Sequence, residues 1–149
     1  MWNIRCYVSE SGRNQISEWY NAQSSAVQAT FDMAMSYLVD QPRDGWVDPS
    51  AKRLAGGGCK GLTEIRFKAE KTQIRPLGFF GPEANEFTIL FNAIEKGGDF
   101  VPKDSCKQAS KRRKYVESDK DKFTCRCFCK RSGFNCCETE SKGIQTRIC

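Results

Sequence analysis

The sequence contains no histidine and no long apolar run. Without histidine, proton transfer in any catalysed reaction would depend on Lys, Tyr, Glu or Asp side chains. No stretch approaches the roughly 20 apolar residues that span a bilayer, and residues 1–8 lack an apolar core of signal-peptide length. We therefore expect the chain to stay in the cytoplasm and not to enter a membrane.

Cysteine is abundant, with nine residues, but it is concentrated at one end of the chain. Only Cys6, Cys59 and Cys106 precede residue 125, so we expect a cytosolic body with reduced thiols rather than a secreted disulfide scaffold. The later cysteines are spaced C-x-C-x-C and C-C, without the C-x2-C pair typical of zinc sites. The sequence thus predicts no metal site and no cofactor. A metal-binding or redox role of the tail stays open as an alternative.

Positive charge is clustered in the second half of the chain, although the formal net charge is only +6. Residues 103–131 contain eleven Lys or Arg against four Asp or Glu, a net +7, which leaves −1 for the remainder. Such clustering favours an anionic partner. Nucleic acid is favoured over membrane because no amphipathic basic helix accompanies the cluster. A solvated, solubilising surface is the alternative interpretation.

The hydrophobic pattern predicts a chain that mixes strands and helices. Apolar and polar residues alternate over residues 3–8, which is typical of a half-buried strand. Apolar residues then recur at helical spacing from Asn14 to about Val39, which predicts a long helix packed on a sheet. Three strands are expected next, at residues 62–68, around Arg75 and at residues 87–94. A helix and a tail complete the predicted order.

One of these strands carries two cations on the same face. Because side chains alternate along a strand, Arg66 and Lys68 project together with Glu64. An antiparallel turn near residues 69–72 would let Arg75 join them. Adjacent cations are stable when they meet an anion, so this face is a candidate phosphate site. An edge-strand charge row that prevents aggregation is the alternative.

Four segments in this region resemble one known family when they are taken in order. The segments are Gly61-Leu-Thr-Glu-Ile-Arg-Phe-Lys68, Ile74-Arg75 leading into Leu77-Gly-Phe-Phe80, Phe87-Thr-Ile-Leu-Phe-Asn-Ala-Ile-Glu-Lys96, and Ala109 through Tyr115. Their order and spacing resemble the phage-derived Gp49-like branch of the RelE/HigB toxin superfamily. Members of that branch read as a G-L-x-E-L-R-F-R strand, two further strands and a helix with A-x-x-R-x-x-x-Y. The resemblance covers roughly residues 2–117.

The resemblance implies a RelE-like α+β fold. It comprises a small, mainly antiparallel sheet of about four strands, packed by a long N-terminal helix and followed by a C-terminal helix. Residues 1–117 would form the toxin domain. Residues 118–149 would be a poorly ordered, Cys-rich extension, because the family usually ends near Tyr115. Pro76 cannot donate to a strand ladder, so its strand should lie at an edge or be bulged there.

The resemblance also implies a function, namely the toxin of a type II toxin–antitoxin pair. RelE-like toxins cut mRNA on the ribosome, without a metal, by attack of a ribose 2′-hydroxyl on the adjacent phosphate. The expected partners are therefore mRNA on the ribosome and an antitoxin, of the helix-turn-helix type. A catalytically inactive, phage-derived nucleic-acid-binding or regulatory protein is the alternative.

Carried over by position, the resemblance suggests roles for particular residues. Arg66 and Arg75 match the strand arginines that would stabilise the phosphate, and Lys68 would act as base or contact the leaving group. Tyr115 would stack on a base or donate a proton, or it would simply pack the helix on the sheet. The predicted RNA-binding residues are Lys71, Lys96, Lys111, Arg112 and Arg113.

Overall fold

The computed structural model describes residues 1–134, which form strands and helices in an α+β arrangement. The strands are β1 Asn3–Tyr7, β2 Ala51–Arg53, β3 Thr63–Ile65, β4 Phe67–Ala69, β5 Thr72–Phe80, β6 Glu86–Lys96, β7 Asp99–Val101, β8 Thr124–Arg126, β9 Phe128–Cys129 and β10 Gly133–Phe134. The α-helices are α1 Gln15–Asn21, α2 Ser25–Leu38, α3 Ser105–Ser118 and α4 Lys120–Phe123.

The sheet is larger than the sequence predicts, so the expectation of a small sheet of about four strands is wrong. Eight strands join one sheet, in which β2-β3-β5-β6-β1-β8 are hydrogen-bonded in that order. β4 also pairs with β5, and β7 with β6. β1 and β6 run parallel, whereas the other pairs are antiparallel. The additional strands are only three residues long, which is too short for alternation to reveal them.

The predicted long N-terminal helix is two helices, α1 and α2, so that expectation is also corrected. The break falls at Ala22–Ser24, where Ser24 caps α2 by accepting a hydrogen bond from the Val27 amide. A serine at this position favours a new helix start because it satisfies an amide that has no partner within the helix. The stripe of apolar residues continues across the break, which explains why the pattern alone suggested one helix.

Helices cover both faces of the sheet. Phe31, Met35 and Leu38 of α2 pack in a cluster with Ile4 and Cys6 of β1. Ala109 and Val116 of α3 pack in a second cluster, with Tyr7, Leu77 and Leu90. Alternate residues of one strand therefore face α2 and α3, and both faces of the sheet are buried.

A bulge in the central β5–β6 pair lies beside Pro76. Leu77 is opposite Phe91, whereas the next residue, Gly78, is opposite Ile89, so Leu90 is the extra residue. β3 and β4 are also interrupted at Arg66, on the other side of β5. The irregular pairing near Pro76 agrees with its inability to donate a ladder hydrogen bond.

Part of the predicted extension takes regular structure. β8 pairs with β1 with Cys125 opposite Cys6, and the amide of Cys127 donates to the carbonyl of Ile4. The expectation of poor order therefore does not hold for the segment up to Phe134. Cys136, Cys137 and Cys149 lie outside the described residues. The domain boundary at residue 117 stays a prediction.

Within residues 1–134, two disulfide bonds join distant segments, so the expectation of reduced thiols in the body is wrong for this structure. Cys6 is bonded to Cys127, and Cys59 is bonded to Cys106. The first bond follows from the pairing of β1 with β8, which brings the two Cα atoms to 5.8 Å. Among residues 1–134 no helix is long and apolar enough to cross a membrane.

Candidate functional site

Two grooves contain most of the predicted site residues. The first, called the α2 groove, lies between α2 and the β4–β5 hairpin and has a volume of about 610 Å³. Arg66, Lys68 and Arg75 line it, together with Met33 of α2 and Phe67 of β4. The structure thus brings three of the four predicted catalytic side chains together.

The second, called the α3 groove, has a volume of about 520 Å³ and is lined by α3, Tyr7 and Phe123. Tyr115, the fourth predicted catalytic residue, lies here with Lys111 and Arg112. Because the two grooves share no lining residue, Tyr115 is separated from the other three predicted residues.

Arg66 and Arg75 belong to a chain of alternating charges. Arg66 lies between β3 and β4, where its Nη1 donates to Glu64 Oε1 at 2.8 Å and its Nε is 3.4 Å from Asp48 Oδ1. Arg75 Nε is 4.0 Å from Glu64 Oε2 and 3.4 Å from Glu95 Oε1. The order is therefore Asp48, Arg66, Glu64, Arg75, Glu95, and each cation lies between two carboxylates.

Burial differs strongly along this chain of charges. Arg75 is 3% exposed, and its guanidinium also donates to the carbonyls of Ile74 and Phe67 and to Gln73 Oε1. Arg66 retains 25% side-chain exposure. The three cations expected side by side are thus not equivalent: Arg75 is an interior counter-ion, whereas Arg66 reaches the groove.

The alternation of side chains along the strand predicted that Glu64 shares a face with Arg66 and Lys68, but not that Glu64 is the buried partner of two arginines. It is 3% exposed, and burial raises the pKa of its carboxyl, while Arg66 and Arg75 oppose that rise. A buried carboxylate needs such partners because removing it from water is costly. Glu64 and Glu95 lie on either side of Arg75, and their negative charges allow this arginine to be buried.

Lys68 is the most accessible predicted catalytic group of the α2 groove. It lies in β4 opposite Gln73, is exposed, and makes no ion pair among the described residues. Lys71 lies in the adjoining turn with φ of +65°, and Lys96 ends β6. Lys71 and Lys96 line neither groove. Both are exposed at the end of the sheet where Gln73 pairs with Glu95. Three accessible lysines therefore lie at that end.

The two predicted RNA-binding arginines of α3 have internal partners. Arg112 donates to the Leu90 carbonyl at 2.8 Å and to Gln15 Oε1, and its guanidinium carbon is 4.9 Å from the centroid of the Tyr7 ring. Burial lowers the pKa of Arg112. Arg113 donates to the Gly61 carbonyl at 3.0 Å and lies over the Phe79 ring. Both arginines hold α3 on the sheet.

Lys107 is a groove residue that the sequence analysis missed. It lines the α3 groove together with Lys111, one helical turn away. The i,i+4 spacing of the two lysines is the signal that places them on one face of a helix. Within residues 1–134, no group of three or more Cys, Asp or Glu side chains is arranged to hold a metal ion.

A comparison with protein-family models finds a match for this chain. The family described as phage-derived protein Gp49-like matches residues 18–114, which is more than half of the chain. The match includes part of α1, all of α2, the central strands and most of α3. No curated protein and no solved structure matches the chain.

Proposed function

Because the chain belongs to the Gp49-like branch of the RelE/HigB-like toxins, we propose that it is a ribosome-dependent mRNA endoribonuclease. It would act as the toxin of a type II toxin–antitoxin pair and inhibit translation. The observation that carries this proposal is the α2 groove, where Arg66 and Lys68 lie together above a buried network of ion pairs.

The proposed reaction needs proton transfer and stabilisation of negative charge. The amine of Lys68 takes the proton of the ribose 2′-hydroxyl as its oxygen bonds to the adjacent phosphorus. The bond from phosphorus to the 5′ oxygen then breaks, and Lys68 returns the proton to that oxygen. The products are a 2′,3′-cyclic phosphate and a 5′-hydroxyl end. Arg66 donates hydrogen bonds to the phosphorane, where negative charge develops.

Arg75 has a positioning role in this proposal. Arg75 is buried and has five hydrogen-bonding or ion-pair partners, so its guanidinium has no pair of N–H groups left to bind a phosphate. It instead neutralises Glu64, which in turn orients Arg66. A catalytic group held in this way is preorganised, and little reorganisation is needed when charge develops.

The remaining expectations belong to the same proposal. An antitoxin partner is suggested by the family, and we propose the helix-turn-helix type. The substrate is mRNA on the ribosome, which places the activity in the cytoplasm and requires no metal. Residues 1–117 form the toxin domain in this proposal, and residues 118–149 are an addition to it.

A second candidate is a catalytically inactive nucleic-acid-binding or regulatory protein. Internal pairing of Arg66 and Arg75 favours it, because only Lys68 among the three cations has no carboxylate partner within the described residues. Such a protein would bind RNA or DNA in a salt-sensitive way and leave it intact.

The test is induction of the full chain from a tightly repressed promoter, followed by mapping of mRNA 5′ ends. We expect cuts within translated codons, which fall by about 10²–10⁴-fold in Lys68→Ala, the range for loss of an acid–base group. Arg66→Ala should also lose cleavage. Lys60→Ala is the matched control, because Lys60 is exposed and lines neither groove.

Two outcomes would contradict the proposal, the first its activity and the second its site. Intact mRNA and normal growth on induction of the folded chain would favour the inactive binding protein. Cleavage that persists undiminished in both Arg66→Ala and Lys68→Ala would place the chemistry outside the α2 groove.

A further inference from the structure

The α3 groove contains groups that the proposed cleavage does not use. It is open to solvent beside α3 and combines exposed lysines with an exposed aromatic ring. The α2 groove, by contrast, lies between α2 and the β4–β5 hairpin. The two grooves share none of their lining residues.

The accessible charge of the α3 groove is positive. Lys107 and Lys111 are exposed and lie one helical turn apart. The groove also contains two acids: Glu10 pairs with Lys122 at 3.2 Å, and Asp104 accepts hydrogen bonds from the uncharged Gln108 at 3.1 Å. Lys107, Lys111 and Arg112 outnumber Asp104, so the groove stays net positive toward an anion from outside.

Arg112 supplies a fixed positive charge at the wall of the groove. Its hydrogen bonds to Leu90 and Gln15, and its stacking on Tyr7, hold the guanidinium in one orientation. Burial raises the pKa of Tyr7, so its phenol stays neutral near neutral pH. The wall thus attracts anions without adding a negative charge of its own.

Tyr115 supplies an aromatic surface next to these cations. It is 41% exposed, and its ring centroid is 5.2 Å from that of Phe123, which is buried. Phe123 therefore supports the tyrosine ring from inside the protein. An exposed, supported ring beside cations is the combination that binds single-stranded nucleic acids, where bases stack and phosphates contact lysines.

We propose that the α3 groove binds a single-stranded RNA segment at a second, non-catalytic site. Lys107 and Lys111 contact successive phosphates, and a base stacks on Tyr115. The site shares the RNA partner of the proposed function but does not depend on cleavage. It holds the RNA on the face of the sheet opposite α2.

The test measures RNA binding directly, in the absence of ribosomes. Purified full-length chain is titrated into a fluorescein-labelled, unstructured RNA of about ten nucleotides, a length within the usual site sizes. Fluorescence anisotropy is recorded over a series of salt concentrations. The same titration with an RNA duplex of equal length shows whether single strands are preferred.

The charge variant is Lys107→Glu/Lys111→Glu, and Lys114→Glu is its control. Lys114 is an exposed lysine of the same helix that does not line the groove. We expect Kd to rise at least about tenfold in the double variant. The slope of log K against log salt should become shallower by about 1.4, since each single-strand phosphate contact contributes about 0.7. Lys114→Glu should change Kd by much less than the double variant.

The aromatic variants test stacking separately from charge. Tyr115→Ala should weaken binding about tenfold, whereas Tyr115→Phe should bind as the unmodified chain does. Equal losses in Lys114→Glu and in the groove variant, or unchanged binding in Tyr115→Ala, would overturn the proposal. Equal or tighter binding of the duplex would also overturn it.

The same titration separates this inference from the proposed function. Lys60→Ala, at an exposed position that lines neither groove, should keep its RNA affinity if the RNA is bound in the α3 groove. Binding through the α3 groove by a chain that cuts no mRNA would contradict the nuclease proposal alone. Cleavage without any effect of the α3 variants on RNA binding would contradict the second site alone.

Discussion

Glu64 is a single buried carboxyl that holds two arginines of the α2 groove in position. Its Oε1 holds Arg66, while its Oε2 faces Arg75 at 4.0 Å and accepts no hydrogen bond among the described residues. Loss of one partner from a buried ion pair commonly costs about 3–5 kcal/mol, because the other charge is left uncompensated. Arg66 and Arg75 thus depend on the same acid.

The pH dependence of stability follows from the raised pKa of Glu64. Burial outweighs the two arginines, so the folded chain binds this proton more tightly than the unfolded chain, whose pKa is near the ordinary value of 4.5. The favourable contribution is complete below pH 4.5 and is lost as the pH rises through the folded-state pKa. Ionisation of Glu64 therefore costs the folded state free energy.

We predict that Glu64→Gln removes this dependence. The free energy of unfolding of the unmodified chain should fall relative to that of the variant as the pH rises above 4.5. Urea denaturation at a series of pH values measures both proteins, and Glu83→Gln, at an exposed position, is the control. If the curves of the unmodified chain and Glu64→Gln run parallel, the carboxyl does not titrate as its burial implies.

At the scale of elements, the contact between β5 and β6 depends on a glycine. A Cβ atom at position 78 would lie 2.3 Å from the Thr88 carbonyl oxygen and 2.7 Å from the Phe87 ring. Neither neighbour can move freely, since one is backbone and the other belongs to the buried core. The bulge at Leu90 lies at the same position, between the partners of Leu77 and Gly78. The close approach of β5 to β6 and the irregular pairing therefore occur together.

Gly78→Ala is therefore expected to destabilise the fold by about 1–3 kcal/mol, the usual cost of overpacking a core. Denaturant titration monitored by circular dichroism measures the loss. Gly58→Ala is the matched control, since its Cβ would meet only the Lys107 amide nitrogen at 4.0 Å and should change stability by less than about 0.5 kcal/mol. Equal stability of the Gly78→Ala and Gly58→Ala proteins would show that β5 and β6 can separate at no cost.

The same elements explain what the sequence could and could not predict. β1 and β6 were recognisable because they are long enough for a pattern to appear, whereas β2, β7 and β8 have three residues each. Alternation correctly placed Arg66 and Lys68 near one groove. It did not predict that Arg75 is buried, because it assumed that one face of the sheet is solvent-exposed.

The position of Arg75 depends on residues that are distant along the chain. Helices cover both faces of this sheet, so an outward-pointing residue of β5 is also buried. Glu95, twenty residues later, supplies one of the carboxylates that permit this burial. Tyr115 likewise lies in a different groove from Arg66, because the position of α3 depends on its packing against β5 and β6, which its own sequence does not specify.

At the scale of the whole molecule, one disulfide bond of the described residues connects two segments that no strand pairing joins. The bond between Cys59 and Cys106 ties the 3₁₀ turn Gly57–Cys59 to the first residues of α3. Because α3 carries both lysines of the α3 groove, this link anchors the start of the helix that forms that groove. Disulfide bonds are rare in cytosolic proteins, so the state of this bond matters for the proposed place of action.

We predict that Cys59→Ser/Cys106→Ser lowers the free energy of unfolding by about 2–4 kcal/mol under oxidising conditions, because the bond closes a loop with a sequence separation of 47 residues. Urea denaturation of the full chain, with and without reductant, measures the effect. Reductant should bring the unmodified chain and the variant to the same stability, as far as this bond is concerned. A difference that is equally large with and without reductant would instead assign the loss to packing of the two side chains, and the link would then contribute nothing to holding α3.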